Sequence, residues 1–448
     1  MDKNAIIKEA NEKLKELLPI IDKLHNLGIS KVLEMGNKSS HIVVTYPPVN
    51  KLSIHKEEKI FKNISGKNTL YIHIPFCTGI CTYCNYSRTA ISEEDERIKK
   101  YLEYLDKESQ LLKSEINVDK IQVESIYIGG GTPTLLSEED LEKLLKIIKR
   151  DYDLINEGEY TVEGSPETIT LGKVALAKFY GVNRFSIGIE SFNDNVLENI
   201  GRRHNAKGAF KAIELIRKAG INEIDFDLIR GLPNYTPEIV ASDMEMVEKT
   251  NVPSVTSYQH SLKPFSLDTK RLPSENPKEK EQVLMHIIFL LGMKKLGYLQ
   301  KPIDWFIKTE KNVYHHQILK WKNMANQLVL GRSSYGYVNG IQFSNYKSRK
   351  EYEEAIDSGK LPIEKATKLS NEDIIRRRFI FGLKTGIDRK QFKKDYGVDP
   401  TEASFKDTLN LFVEAGGIKI SNSTIGLTEV GSLFADYIQM AFYSKKYM

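Results

Sequence analysis

An α/β fold built on a parallel sheet is what this sequence predicts, and three observations carry the expectation. Short runs of β-branched and aromatic residues alternate with amphipathic stretches from Thr69 to about Leu262. Six such strand-helix units follow one another, and repeated units of this kind require parallel strands joined by right-handed crossovers. The composition, 40% hydrophobic and 28% charged over 448 residues, supports one large core with smaller units around it. Periodicity does not choose between a doubly wound sheet and an incomplete (β/α) barrel. In both, chemistry gathers at the C-terminal ends of the strands.

The candidate strands are 70–74, 125–129, 160–164, 184–189, 223–229 and 254–260, and the helices between them are 93–116, 138–149, 171–180, 206–219 and 237–249. They define a core at 69–265. Residues 1–68 read as an appended layer, with a helix through Leu27, a strand at 42–45 and a break at Pro47-Pro48. Residues 266–365 read as a linker and substrate-covering region that begins with a helix at 278–296. Residues 366–448 read as a mainly helical unit, with helices at 371–385 and 402–415. Its close, GGIKISNSTIGLTEVGSLFADYI, is expected to form a short hairpin and a helix, so the unit resembles a small winged helix.

Composition narrows the function classes. The formal charge of +5 arises from 65 basic and 60 acidic residues interspersed along the chain, a weak footprint for nucleic acid. Lys419 is the only base in the winged stretch GGIKISNSTIGLTEVG, which favours a packing or substrate-covering role there. No apolar run approaches the roughly 18 residues of a spanning helix, and the first residues read as a charged amphipathic helix. No membrane partner and a cytoplasmic location are therefore expected.

The three cysteines, Cys77, Cys81 and Cys84, lie within eight residues of one another. Chance clustering of that kind has a probability on the order of one in a thousand. An odd number so close together argues against a disulfide framework and for the ligands of one metal centre. The loop follows a candidate strand ended by Pro75, so it lies at a strand's C-terminal end. Three thiolates there hold three irons of a cubane cluster and leave the fourth open to a substrate ligand. Structural zinc normally takes four protein ligands, usually from two paired knuckles, and no second pair exists in this chain. Inert buried thiols are the remaining alternative.

The spacing of three residues and then two, with Tyr83 before the last cysteine, resembles the signature of the radical S-adenosylmethionine superfamily. The longer string YIHIPFCTGICTYC is similar to the oxygen-independent coproporphyrinogen III oxidase family and its relatives, which include heme chaperones, C-methyltransferases and cyclopropane-forming enzymes. The resemblance is strong over about 69–265 and loose over about 325–440. It implies an incomplete (β/α)6 barrel, a [4Fe-4S] cluster on Cys77, Cys81 and Cys84, and reductive cleavage of S-adenosylmethionine to a 5′-deoxyadenosyl radical. A small-molecule substrate and a reductant such as flavodoxin or ferredoxin are the implied partners.

Further residues cluster at the strand ends. Gly129-Gly130-Gly131-Thr132 follows the second strand, and consecutive glycines let a backbone approach a ligand while leaving its polar groups free. By resemblance, Gly130, Gly131 and Thr132 receive the methionine amino end. Glu163, Arg202 and Asp227 match positions that contact S-adenosylmethionine, and Glu190 stands where the family more often has glutamine. Ile229 and Tyr258 lie where some relatives hold a second S-adenosylmethionine. Tyr71, which by the same resemblance matches a tyrosine beside the cluster, and Tyr258 are the candidate catalytic residues. His315-His316 and Trp321 lie in a polar stretch able to contact a porphyrin, although adjacent histidines point apart and a solvated pair is the plainer reading.

The family's porphyrinogen oxidase carries a further cysteine two residues after the third ligand, where this chain has Tyr86. That departure points to carbon modification with a second S-adenosylmethionine as methyl or methylene donor. Decarboxylation of coproporphyrinogen and heme chaperoning are the alternatives.

Overall fold

In the computed structural model, residues 2–29, 43–54, 59–260 and 277–448 are described. The chain opens with helix α1 (Lys3–Leu24), capped by the Asp2 carboxylate, which accepts from the backbone N–H groups of Asn4 and Ala5. Strand β1 (Asn68–Ile74) then leads into a short pair, β2 (Phe76–Cys77) and β3 (Thr89–Ala90). The units that follow are helix α2 (Glu96–Ile116), strand β4 (Ile121–Gly130), helix α3 (Glu138–Asp151), strand β5 (Tyr152–Gly164) and helix α4 (Leu171–Phe179). Strand β6 (Arg184–Glu190), helices α5 (Asp194–Asn199) and α6 (Ala206–Lys218), strand β7 (Glu223–Arg230), helix α7 (Pro237–Thr250) and strand β8 (Ser254–Gln259) complete the series.

Strands β1, β4, β5, β6, β7 and β8 pair in that order, each parallel to the next. They are buried on both faces, and residues such as Leu70, Ile72, Ile128, Val162, Ile187 and Phe226 are fully enclosed. That is the pattern of a parallel sheet covered by its crossover helices. The sheet stays open, so the incomplete barrel implied by the sequence is the architecture found.

Of the stretch 266–365, read as linker and substrate-covering region, residues 266–276 lie outside the described residues, and the rest carries sheet strands that the reading did not foresee. After helix α8 (Glu279–Lys295) it supplies strands β9 (Leu299–Gln300), β10 (Trp305–Ile307), β11 (Asn326–Leu330), β12 (Tyr335–Val338), β13 (Ile341–Asn345) and β14 (Ile363–Lys368). Strand β10 pairs antiparallel to β8 on one side, and β11 pairs parallel to β1 on the other, extending the sheet at both edges. These segments run only two to six residues, and long-range pairing rather than local pattern decides such short strands. Helix α9 (His315–Trp321) leaves β10 and packs against β4, β5 and β1. Helix α10 (Arg349–Asp357) precedes β14 and packs against α2.

The C-terminal unit has helices α11 (Asn371–Thr385), α12 (Arg389–Tyr396), α13 (Lys406–Glu414), α14 (Glu429–Leu433) and α15 (Ala435–Ala441). Strands β15 (Ile387–Asp388), β16 (Ile418–Ile420) and β17 (Thr424–Leu427) form a small sheet in the order β15-β17-β16. The helix-hairpin-helix expectation is met, with β15 as an unforeseen third strand. The expected helix at 402–415 starts later, at Lys406, after a short 3-10 turn at Pro400–Glu402.

Two N-terminal expectations change. Helix α1 stops at Leu24 and a looser turn follows, ending beyond Gly28 with its φ of 86°. Of the strand expected at 42–45, Ile42 lies outside the described residues and residues 43–45 form no strand. The Val43 N–H donates instead to the Asp436 carboxylate at 3.2 Å, tying this segment to α15. Helix α1 buries Ile6, Ala10, Leu14, Leu17, Ile21 and Leu24 along one face and lies against α8 and α7.

Candidate active site

The cysteine loop is pinned at both ends before any cofactor is considered. The β2–β3 pairing brings Cys77 level with Ala90, and the Ile91 N–H donates to the Cys77 carbonyl at 3.0 Å. The Thr82 N–H donates to the Ile200 carbonyl at 3.0 Å, and Arg88 Nη2 to the Cys81 carbonyl at 3.2 Å. All three cysteine side chains line one cavity of about 310 Å³ at the C-terminal ends of the parallel strands. Burial pushes the Cys77 thiol up to about 11, helped by Cys84 and Cys81, while a hydrogen bond with Thr132 opposes the rise. Among the described residues no three His, Cys, Asp or Glu side chains converge on a single ion, as a zinc site requires. A cubane cluster instead takes each thiolate to a different iron, which these neighbouring but separate sulfurs fit.

The glycine turn is built against that loop. The Gly131 N–H donates to the Ile74 carbonyl and the Thr132 N–H to the Phe76 carbonyl, both at 2.7 Å. A Cβ on Gly131 would stand 2.4 Å from the Phe76 oxygen and 2.9 Å from Cys77 Sγ, so only glycine fits. Gly130, with a φ of 116°, presents its N–H to Glu163 Oε2 at 3.0 Å. The other Glu163 oxygen accepts from the Tyr127 hydroxyl.

Arg202 reaches across the strand ends. Its Nη2 donates to Ser165 Oγ at 2.8 Å and to the Gly188 carbonyl, while Nη1 lies 3.7 Å from Cys81 Sγ and 3.8 Å from Glu190 Oε1. Glu190 is 5% exposed and has a φ of 69°, at an irregularity in the β6–β7 pairing. Such a conformation is strained for a residue with a side chain and persists only where neighbours enforce it. Here the Tyr83 hydroxyl donates to Glu190 Oε1 at 2.8 Å, linking the cysteine loop to β6.

The charge balance at this end of the cavity is acidic. Burial raises Glu163, with Glu190 adding to the rise. Asp227 is raised well above the ordinary carboxyl range by burial and by Asp225, Glu190 and Glu163. Arg88 and Arg203 line the cysteine-loop end beside Arg202, and Arg184 nearby is engaged: it approaches Asp225 at 3.7 Å and Glu159 at 3.9 Å and lies over the Tyr314 ring at 5.1 Å. Among the described residues no cation stands at ion-pair distance from Glu163 or Asp227, and a ligand that carries an ammonium and a sulfonium, as S-adenosylmethionine does, meets that need.

Every site residue expected from the sequence lines this one cavity: Tyr71, Cys77, Cys81, Cys84, Gly130, Gly131, Thr132, Glu163, Glu190, Arg202, Asp227, Ile229 and Tyr258. Tyr71 stacks on Tyr127 at 6.0 Å, and its hydroxyl is 3.0 Å from His73 Nδ1. The reading of His315-His316 as a solvated pair fails for one member. His315 is exposed, but His316 is 2% exposed and lines the cavity. Sequence reasoning missed Tyr127, Ser165, Trp305, Tyr314 and Lys320. Of these, Tyr127 carried a signal, standing two residues before the glycine turn on a strand facing the site.

Comparisons with known proteins point to one family and one fold. Residues 71–247 match the sequence profile of the Radical SAM superfamily. The chain is 31% identical over 338 residues to the heme chaperone HemW of Lactococcus lactis subsp. lactis (strain IL1403), covering 73% of this chain and 85% of that protein. It is 28% identical over 394 residues to an oxygen-independent coproporphyrinogen III oxidase of Helicobacter pylori (strain J99), covering 84% of this chain and 85% of the relative. Among solved structures it resembles the coproporphyrinogen III oxidase HemN of Escherichia coli, with a TM-score of 0.75 at 22% identity, covering 84% of this chain and 90% of the other.

Proposed function

Because this chain belongs to the HemN-like family of the radical SAM superfamily, and so works with a [4Fe-4S] cluster and S-adenosylmethionine, we propose that it is an enzyme that modifies a carbon of a small molecule enclosed in the cavity. The observation that carries the reading is the convergence of the cysteine loop, the glycine turn and the acidic strand ends on one enclosed space. The cofactors, when bound and reduced, supply a 5′-deoxyadenosyl radical that abstracts hydrogen from the substrate.

The protein's part is to hold and orient. Cys77, Cys81 and Cys84 ligate three irons. The backbone of Gly130, Gly131 and Thr132, with Glu163, receives the methionine end, and a cationic amine there restores the charge that burial takes from Glu163. Arg202, Glu190 and Asp227 bind the rest of the cofactor. Tyr71 and Tyr258 border the reacting carbon, and the barrel walls exclude water that would quench a radical.

The finer reading is methyl or methylene transfer from a second S-adenosylmethionine. It is supported by Tyr86 in place of a further cysteine and by the cavity continuing past Ile229 and Tyr258. The names of the relatives support two others: oxidative decarboxylation of coproporphyrinogen, and heme chaperoning without turnover. A reductant such as flavodoxin or ferredoxin goes with the two enzymatic readings, and a cytoplasmic location with all three. No helix among the described residues is long and apolar enough to cross a membrane.

S-adenosylmethionine labelled in its methyl group separates the readings. Transfer puts label in the product and releases S-adenosylhomocysteine beside 5′-deoxyadenosine. Decarboxylation leaves the label in methionine, and conversion of coproporphyrinogen III without S-adenosylhomocysteine sinks the transfer reading. Tight heme binding with every candidate substrate unchanged favours the chaperone.

A further inference from the structure

Helix α9 carries an unusual set of unsatisfied groups. Among the described residues, His316 Nε2, Gln317 Oε1 and Trp321 Nε1 are buried without a hydrogen-bond partner, and Lys320 makes no hydrogen bond or ion pair. All four side chains line the cavity. The pairs His316–Lys320 and Gln317–Trp321 are each separated by four residues, so they stand on one helical face. Buried polar groups left unpaired cost free energy, and a concentration of them on one face of a cavity marks a binding surface.

The donors outnumber the acceptors. Ser125 Oγ lies 2.9 Å from His316 Nδ1. With the serine hydroxyl donating to Nδ1, Nε2 carries the ring proton and points it into the cavity beside the Trp321 N–H and the Lys320 ammonium. Two other cations stand nearby, and both are engaged. Lys384 pairs with Asp304 at 3.0 Å and Asp436 at 2.8 Å, while Arg377 donates to the Tyr46 carbonyl at 2.7 Å and to Gln342 Oε1 at 3.0 Å. Of the three cations Lys320 alone makes neither a hydrogen bond nor an ion pair, and burial together with Arg377 pulls its ammonium down to about 7. An anion beside it would restore the charge.

The position is deep. Ser125 precedes Gly130 by five residues on β4, which at strand rise puts the His316 level about 16 Å below the glycine turn. The cavity is therefore polarised along its length, acidic beside the cysteine loop and donor-rich at α9. Between them the walls are aromatic, with Trp305 5.6 Å from Tyr314 and 5.2 Å from Trp321.

We infer that α9 is a carboxylate subsite in which Lys320, the Trp321 N–H and His316 Nε2 grip an acid group on an aromatic or otherwise apolar substrate. The inference rests on the proposed reading of the chain as an enzyme acting on a small molecule. It makes Lys320 a specificity-determining residue. The substrate is held by an end remote from the cofactor, so the carbon modified lies many bonds from the anchoring carboxylate.

The chain's two tryptophans, Trp305 and Trp321, both line this end, so intrinsic fluorescence reports on it directly. The cluster-loaded full chain is titrated with 3-phenylpropionate and with the neutral 3-phenylpropionamide. The acid is expected to give a saturable change and the amide to bind at least about 10-fold more weakly, since charge-assisted hydrogen bonds are the stronger ones. Lys320→Met should erase that preference and Lys320→Arg should keep it. Equal affinity for acid and amide, no saturable binding of the acid, or an undiminished preference in Lys320→Met overturns the subsite. Reductive cleavage of S-adenosylmethionine by the unmutated enzyme is scored separately. Cleavage without acid preference removes the subsite alone, and acid preference without cleavage removes the enzymatic reading alone.

Discussion

Replacing Gly131 by alanine adds one methyl carbon at the most crowded point between the glycine turn and the cysteine loop. That carbon would lie 2.4 Å from the Phe76 oxygen, 2.9 Å from the Ile74 oxygen and 2.9 Å from Cys77 Sγ. Ordinary carbon–oxygen contacts begin at about 3.3 Å, so the two segments must separate by about 1 Å. Two of the three obstacles are backbone carbonyls and cannot swing aside. They are also the acceptors of the Gly131 and Thr132 N–H bonds, so separation stretches both. Strain of about 1–3 kcal/mol and up to about 1 kcal/mol for each hydrogen bond give a local cost of about 1–5 kcal/mol. A domain of ordinary stability, about 5–15 kcal/mol, survives that. Cys77 and the turn, however, lose their register, and a misplacement of about 1 Å costs on the order of 100-fold in rate. The assay is formation of 5′-deoxyadenosine by the dithionite-reduced, reconstituted protein, with iron content and melting temperature measured in parallel. Gly426→Ala is the control, because its added carbon meets only the Gly386 Cα at 4.0 Å. Wild-type cleavage and melting in Gly131→Ala would refute the reasoning, since the nearest obstacle is a backbone carbonyl that no side-chain rotation can move.

Other measurements probe the remaining parts. Reconstituted protein should hold about four irons per chain with broad thiolate-to-iron absorption, and alanine at Cys77, Cys81 or Cys84 should abolish both; full iron in all three variants excludes the cluster assignment. Glu163→Ala and Asp227→Ala should each slow cleavage of S-adenosylmethionine by at least about 10-fold while retaining iron, and wild-type turnover in both removes them from the cofactor site. His73 is 4% exposed, and burial lowers it from 6.5 to about 4. Between those values the unfolded chain binds a proton that the folded chain does not, so stability falls as pH drops through that window, by about 3 kcal/mol in all. Denaturant titrations of His73→Gln should show a shallower loss between pH 6.5 and 4, and an unchanged slope would show that another group titrates.

The legible parts of the site were those in which chemistry is written in short stretches of chain. Cys77, Cys81 and Cys84 announce a metal centre by spacing, and the glycine run announces a close backbone approach, because each depends on residues a few positions apart. Glu163, Glu190 and Asp227 were found because alternation marks where strands end, and in a parallel sheet the C-terminal ends share one mouth. Tyr83 was noted for its place in the motif, but its bond to Glu190 spans 107 residues and leaves no local trace. His316 was misjudged for a related reason. Adjacent histidines do diverge, and which of them is buried depends on where α9 packs.

The sequence by itself determined the strand-helix alternation, the parallel core, the helix–hairpin–helix close, the cysteine loop, the glycine turn and the acidic residues at the strand ends. All follow from hydrophobic period and from motifs confined to a few residues. Only the tertiary structure decided that 266–365 carries sheet strands, that α9 lies against the inner strands, and that Lys320 stands there, among the described residues, without a hydrogen bond or ion pair. Those facts arise from pairing between segments far apart in the chain, such as β11 with β1. The stability of so short a strand comes from its neighbours rather than its own sequence.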